Sequence, residues 1–358
     1  MSKRAKEGTC LRSLVEIAVP LLQQAERQCP RTGPGCKPEI PDWVMGVLIM
    51  VVVLKRKKRK AAQFRFLSAH REELANWLGI KAFPSRSTYY RRYRRAHRLF
   101  QEAIRLQGQL AVEEGIADPK TVAVDKSLVT ALGPKWNHKD RRAGRIPRGL
   151  YGVDRDSAWG FSKHDGWVQG YSYEVVTTAT SGDCVFPLLA SADTASASEH
   201  LSFGPQIDHL PEPTKNVLAD GGYDNNDYGQ RVEYDQTDRR TGRRFVCAPN
   251  RRNDARRRKS DWPRSRRVRQ ERERRQQRQA FYRSPSGQRL YARRGQTIEP
   301  FHERLKRLFE LEHRVWHRGL DNNRTQLLAS IFSYQLLLRH NYNQGNHNGQ
   351  VTWMLDQL

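Results

Sequence analysis

Two short apolar runs, each stopping at an aspartate, constrain this chain more than any other feature. Thr121-Val122-Ala123-Val124 ends in Asp125, and Asn216-Val217-Leu218-Ala219 ends in Asp220. Such runs are too short for helices and read as buried strands. A strand buried on both faces belongs in a sheet flanked by helices. A third acid, Glu299, lies in Thr297-Ile-Glu-Pro-Phe-His-Glu303, which reads as the first turn of a helix from Thr297 to about Trp316. Phe301, Leu305, Leu308 and Leu311 supply its apolar stripe, and Pro300 is tolerated in a first turn. The expected order is strand-Asp125, strand-Asp220, helix-Glu299.

These acids stand in a chain of 358 residues with 64 Lys and Arg against 38 Asp and Glu, a formal charge of +26. That excess repels itself unless a polyanion offsets it, so nucleic acid is the expected partner and a membrane surface the other candidate. The strongest apolar run, Trp43 to Leu54, has 12 residues. Spanning a bilayer takes about 20, so a buried helix is expected. The basic run Lys55 to Lys60 directly behind it leaves a membrane stop signal as the alternative. The polar first 17 residues show no secretory leader. Five cysteines, at positions 10, 29, 36, 184 and 247, show no CxxC spacing. An odd count without pairing argues for a reducing compartment and gives no support to a zinc site. The expected location is the cytoplasm, in association with the nucleoid.

Residues 1–115 read as helical, with a Pro/Gly-rich break from Pro30 to Pro41. A helix over Ser68–Leu78 stops at Gly79, and Ser85 is a plausible N-cap for the next. That next helix interleaves Arg86, Arg91, Arg92, Arg94, Arg95 and Arg98 with Tyr89, Tyr90 and Tyr93. Helix, turn and Arg/Tyr-rich helix is the layout of a helix-turn-helix reader. Non-specific phosphate contact and a solvated structural helix remain the alternatives. Beyond Pro119, Trp167–Tyr171 and Tyr173–Thr178 read as an antiparallel pair, and Arg244–Cys247 as one more short strand. Residues 251–278 hold 14 Lys and Arg against 4 acids. They read as a phosphate clamp on a mobile helix or loop, or as a solvated spacer. Leu327–Leu338 reads as a last apolar helix, and 341–358 as a polar, frayed tail.

In-line displacement at a phosphodiester needs the attacking oxygen activated and the leaving oxygen stabilised, which two metal ions about 3.5–4 Å apart do together. Carboxylates are the ligands Mg²⁺ prefers, and two strand ends plus a docked helix can present three of them rigidly. Glu303, one turn beyond Glu299, competes as the third ligand. Asp154, Asp156 and Asp165 are candidates for supporting or turn roles, His302 for DNA contact or packing, and Tyr223 for stacking or burial.

From Asp125 to about Lys306 the chain resembles the DDE transposases of bacterial insertion sequences. The resemblance rests on Val-Ala-Val-Asp125, on Gly152-Val-Asp-Arg-Asp through Tyr171, and on Ala-Asp220-Gly-Gly-Tyr-Asp224. It rests also on Tyr291, Arg294, Glu299 and Lys306, which match in type and order the Tyr-Arg-Glu-Lys signature of one branch. The Arg-to-Glu gap is four residues where that branch has three. The resemblance implies an α/β fold with an RNase H-like catalytic core over 116–340, a mixed sheet flanked by helices. It also implies a basic insertion at about 239–293 before the last catalytic helix, behind a helical DNA-binding region at 1–115. It implies Asp125, Asp220 and Glu299 as catalytic metal ligands for two Mg²⁺ or Mn²⁺ ions. Lys306, Arg294 and Tyr291, with Arg86, Arg91, Arg92, Arg94 and Arg95, are the expected DNA contacts. Terminal inverted repeats and target DNA are the implied partners, with a homo-oligomeric synapse and no membrane. The implied reaction is strand cleavage, then strand transfer. A silent DNA-binding relic of the same fold and a metal-dependent nuclease without strand transfer are the alternatives.

Overall fold

The computed structural model of the chain describes residues 3–29, 38–180, 184–250 and 265–358. Its first elements are helices: α1 (Lys3–Gln28), α2 (Asp42–Leu54), α3 (Lys60–Ala69), α4 (Arg71–Leu78), α5 (Arg86–Tyr93) and α6 (His97–Glu113). The apolar run forms α2, and every residue from Val44 to Leu54 is buried. Each Val, Leu or Ile so placed contributes about 1.5–3 kcal/mol over an exposed one. Among the described residues no helix is long and apolar enough to cross a membrane. The basic run behind α2 is tied into the fold: Lys55 donates to the Leu358 carbonyl and Lys58 pairs with Glu310. Lys60 donates to Asn322 Oδ1 at 2.5 Å and lies 4.6 Å over the Tyr93 ring. Ser85 caps α5 by accepting from the Thr88 N–H at 3.3 Å, and Gly79 ends α4 with a left-handed φ of 62°.

Six strands follow: β1 (Thr121–Thr130), β2 (Ala158–Ser162), β3 (Gly166–Thr178), β4 (Pro187–Thr194), β5 (Asn216–Ala219) and β6 (Arg244–Cys247). They form one mixed sheet in the order β2-β3-β1-β5-β6, with β4 also paired to β3. β1 runs antiparallel to β3 and parallel to β5, and β5 runs parallel to β6. The short helix α7 (His138–Arg142) lies between β1 and β2, while α8 (Glu199–Ile207) and α9 (Asn226–Glu233) flank β5. The last elements are α10 (Arg266–Arg283), α11 (Pro285–Leu308), α12 (Leu320–Asn343) and α13 (Thr352–Gln357).

Alternation along β3 divides the layers. Glu174 accepts from Gln206 of α8 and from the Tyr223 hydroxyl on one face. Tyr173, its neighbour, turns to His302 of α11 on the other. On that side α12 packs against α6 and β4, and α1 and α2 form a further layer outside them. The close approach of α6 to β4 needs Gly108, where a Cβ would fall 2.5 Å from the Leu188 carbonyl oxygen. One apolar cluster runs from α1 and α2 through the sheet to α12 and α13.

Several boundaries differ from the sequence reading. β1 continues through Asp125 to Thr130, because antiparallel pairing to β3 outlasts the parallel pairing to β5. Trp167–Tyr171 and Tyr173–Thr178 are halves of one strand, β3, and its partners β1, β2 and β4 come from elsewhere. α11 starts twelve residues before Thr297, at Pro285, with Ser284 as N-cap accepting from the Gly287 N–H at 3.1 Å. Glu299 and Pro300 therefore sit mid-helix, and the helix ends at Leu308, short of Trp316. The C-terminal stretch closes with α13, and Val351, Met354, Leu355 and Leu358 are buried. Of the basic stretch, 251–264 lies outside the described residues and the remainder opens α10. Cys29, Cys184 and Cys247 are free thiols.

His317 gives the fold a pH dependence. It is 6% exposed, with Nε2 3.1 Å from the Tyr93 hydroxyl. Burial, helped by the Lys60 charge, pushes its ring from 6.5 down to about 3. Between those values the unfolded chain binds a proton that the folded one refuses. Stability from this group is whole above about pH 6.5 and is lost progressively as pH falls toward 3. Thermal melts should show Tm falling below pH 6.5, with a slope of up to about 1.4 kcal/mol per pH unit from this residue. His317→Gln should flatten that limb.

Candidate functional site

The parallel register of β1 and β5 builds the site. Val124 pairs with Ala219, so the next residues, Asp125 and Asp220, stand side by side on adjacent strands, which lie about 4.8 Å apart. β5 ends there because Asp220 caps a 3₁₀ turn over Gly221–Tyr223, accepting from the Gly222 N–H at 2.8 Å. The thiol of Cys247, at the end of β6, donates to the Asp220 carbonyl at 2.9 Å.

Arg294 of α11 reaches into this place. Its Nη2 lies 2.9 Å from Asp125 Oδ1, and Asp220 acts on the same guanidinium. Burial works against the Arg294 charge, but the two carboxylates more than offset it and hold its pKa above the ordinary value. His302, eight residues on and so about two turns along the same side of α11, faces Asp125 with Nε2 3.6 Å from Oδ2. Its Nδ1 lies 3.2 Å from the Tyr173 hydroxyl, which fixes the ring. Burial raises the Asp125 carboxyl, and His302 and Arg294 outweigh it, leaving the group below the ordinary carboxylate range. Tyr291 stands edge-on to Tyr282 at 5.0 Å, and burial pushes its hydroxyl up to about 12.

Glu299 lies on α11 between Arg294 and His302 in sequence. It is exposed, and its carboxylate leans back over Gly295, where an added Cβ would lie 3.7 Å from Oε1. Glu303 borders a different cleft, with Pro300, Arg304, Arg307 and Thr352. Lys306 is half-buried, and burial lowers its ammonium while Asp165 at the β2–β3 turn pulls the other way. The structure thus brings Asp125, Asp220, Arg294 and Tyr291 together, with Glu299 and Lys306 along one outer flank of α11. Among the described residues no three His, Cys, Asp or Glu side chains converge closely enough to hold an ion.

Two arrangements escaped the sequence reading. His302 is the partner of Asp125, a role that its spacing from Arg294 on one helix could have signalled. The basic helix α10 turns a row of arginines inward: Arg274 to Asp238 at 2.7 Å, Arg275 to Asp224 at 2.5 Å and Arg278 to Glu233 at 3.2 Å. These residues fall on one helix side by their three- and four-residue spacing. Arg266, Arg269, Arg272 and Arg283 remain exposed. A similar division holds at the N-terminal helices. Arg86, Arg91, Arg94 and Arg95 are exposed. Arg92 is 8% exposed and committed inward, donating to Asp42 Oδ1 from Nε at 3.1 Å and to the Ile40 carbonyl at 2.5 Å.

A mixed sheet in this order, covered by helices and bearing two acids at a parallel strand pair, is an RNase H-like core. The family model of the transposase DDE domain matches residues 116–336, more than half of the chain. The chain belongs to that family, whose members process DNA with divalent metal. No curated protein and no solved structure matches it.

The two kinds of arginine on α5 should separate experimentally. Arg92→Ala removes the guanidinium's bonds to Asp42 and to the Ile40 carbonyl and should cost about 2–4 kcal/mol in chemical denaturation. Arg91→Ala should leave stability within about 0.5 kcal/mol and weaken DNA binding in a filter or anisotropy assay.

Proposed function

We propose that this transposase cuts DNA at the terminal inverted repeats of its element and joins the freed 3′-hydroxyl to target DNA. The observation that carries the reading is the register that sets Asp125 beside Asp220 inside the matched domain. In this reading Asp125, Asp220 and Glu299 hold two Mg²⁺ or Mn²⁺ ions. Their chemistry fits such ions, since all three supply hard carboxylate oxygens. The Asp125–Asp220 pair already draws a positive charge, the Arg294 guanidinium. The ions, when bound, would activate the attacking oxygen and stabilise the leaving one.

The chain's own residues prepare the rest. His302, held by Tyr173, keeps the Asp125 carboxylate oriented and ionised. Arg294 neutralises two adjacent acids in the free protein and passes to phosphate when DNA arrives. Lys306 lies two turns beyond Glu299 on the same side of α11 and takes the backbone further along, with Tyr291 near the cut. Arg86, Arg91, Arg94 and Arg95 present a basic surface on residues 1–115 for the element's ends, and Arg92 holds that surface in place. The protein works as a homo-oligomer that pairs two ends, in the cytoplasm with the nucleoid.

A second reading, a DNA-binding relic that does not cut, is favoured by the Arg294–Asp125 ion pair, which gives one oxygen of the first acid a cation partner within the protein. Labelled DNA carrying the element's ends, incubated with Mg²⁺, distinguishes the two. Wild type should nick and join, and Asp125→Ala, Asp220→Ala and Glu299→Ala should each lower cleavage by at least about a hundredfold while still binding. Cleavage retained in all three variants defeats the site. Binding without cleavage in wild type, in Mg²⁺ and Mn²⁺, selects the relic, and nicks without joined products select a nuclease. Affinity should also fall steeply with salt, with log K losing about 0.9 per phosphate neutralised for each tenfold rise in salt.

A further inference from the structure

The β2–β3 hairpin leaves two large aromatic side chains in water. Phe161 is 61% exposed and Trp167 is 64% exposed. They are cross-strand partners, with ring centroids 5.5 Å apart in an edge-on arrangement. Among the described residues seven tyrosines and five phenylalanines rank with the largest fully buried side chains, while Tyr151 and Trp353 are also exposed. An exposed apolar pair rimmed by polar residues marks a contact surface.

Three observations say what contacts it. The first is the face. Side chains alternate along β3, and its register is unbroken from Gly166 to Val176. Trp167 therefore shares a face with Tyr173, which holds His302, and with Val175, which pairs with Asp125. Eight residues separate Trp167 from Val175, at most about 27 Å along the strand. That equals about eight base steps of B-DNA. The second is the track between them. Glu299 and Lys306 line one flank of α11, and Asp165 in the hairpin turn is near enough to act on the Lys306 ammonium.

The third is charge. Trp159, on the same face as Phe161, donates its indole N–H to the Trp136 carbonyl at 2.9 Å, and Arg141 donates to the Ser157 carbonyl at 2.9 Å. These bonds hold the α7 segment beside the hairpin, with Lys139, Arg142, Arg145 and Arg148 exposed. From residue 135 to 168 there are eight Lys and Arg against four Asp. Two of those acids are engaged locally, Asp140 with Arg145 and Asp165 with His164. Two such basic surfaces repel each other, which disfavours a second copy of the chain as the occupant. An aromatic face beside arginines suits nucleic acid, whose bases offer π-faces wherever the duplex is opened or kinked.

We propose that the β2–β3 hairpin is a remote DNA contact, at which Phe161 and Trp167 stack on base faces of an opened or kinked step within about eight base pairs of the catalytic carboxylates. The α7 arginines take the flanking backbone. This rests on the reading of the chain as an enzyme that acts on DNA, and it adds a contact that the three acids do not require.

The test uses the full chain without divalent metal and two labelled probes, a duplex with a short mismatch bubble and the same duplex fully paired. Wild type should prefer the bubble, and Phe161→Ala/Trp167→Ala should lose about tenfold on it with little change on the paired duplex. Trp167→Tyr should restore most of the preference. A 2-aminopurine in the bubble should be quenched by wild type and not by the double variant. Because both side chains are exposed, the double variant should melt with wild type, and Trp167→Tyr guards against a folding artefact. Unchanged bubble binding and quenching in the double variant overturns this inference alone. Loss of self-association with DNA binding unchanged assigns the pair to a protein contact and also overturns it. Failure of wild type to bind either probe overturns the inference together with the functional reading.

Discussion

Everything at the site depends on one pairing. Because β1 and β5 run parallel and Val124 meets Ala219, the two residues that follow must be neighbours. Had the register slipped by one, one aspartate would have moved to the opposite face of the sheet. The crossover between the strands places β3, β4 and α8 in sequence, and α8 covers the face away from Asp125. α11 is then free to lie across β1, β3, β5 and β6 on the other face. It delivers Arg294 and His302 to Asp125 and leaves Glu299 exposed.

Two carboxylates held together in a partly buried place are unfavourable when both are charged. Here Arg294 supplies the compensating cation, and His302 adds to it. The same device recurs at other acids drawn inward, Arg92 with Asp42, Arg275 with Asp224 and Arg278 with Glu233, whereas Asp154 and Glu174 accept from tyrosine hydroxyls and other neutral donors. The count of 64 Lys and Arg therefore overstates the cations offered to a polyanion, since some of them are spent as internal counter-ions. The planar guanidinium suits that work because it can satisfy more than one acceptor at once. What remains outside is arranged in separate patches, on α5 and the turn after it, on the outer side of α10, and around α7.

Much of the sheet was legible. β5 and β6 appear with the ends expected from their apolar runs and flanking turn residues, and Ser85 and Gly79 act as the caps their chemistry suggests. The apolar stripe of Phe301, Leu305 and Leu308 marks only the buried half of α11 and does not reveal its start. Ser284-Pro285, an N-cap followed by proline, was the actual start signal. The sequence divides β3 at Ser172, whereas its pairing to β1 continues through Ser172, opposite Leu128. The arginine row of α10 could not be read as inward-facing, because its partners Asp224, Glu233 and Asp238 lie 36 to 51 residues away.

The sequence by itself determined the family, the acidic residues at the ends of short apolar runs, and the excess of cations that calls for DNA. These are local properties, carried by side-chain type and by spacing within a few residues. Tertiary structure alone decided that Asp125 and Asp220 are neighbours, that Arg294 lies between them, and that Arg92 and Arg275 face inward. It also decided that Phe161 and Trp167 stand exposed on the face that bears Asp125. Each of those facts joins elements far apart in the chain, and the joining is done by register and packing, which no short stretch of sequence contains.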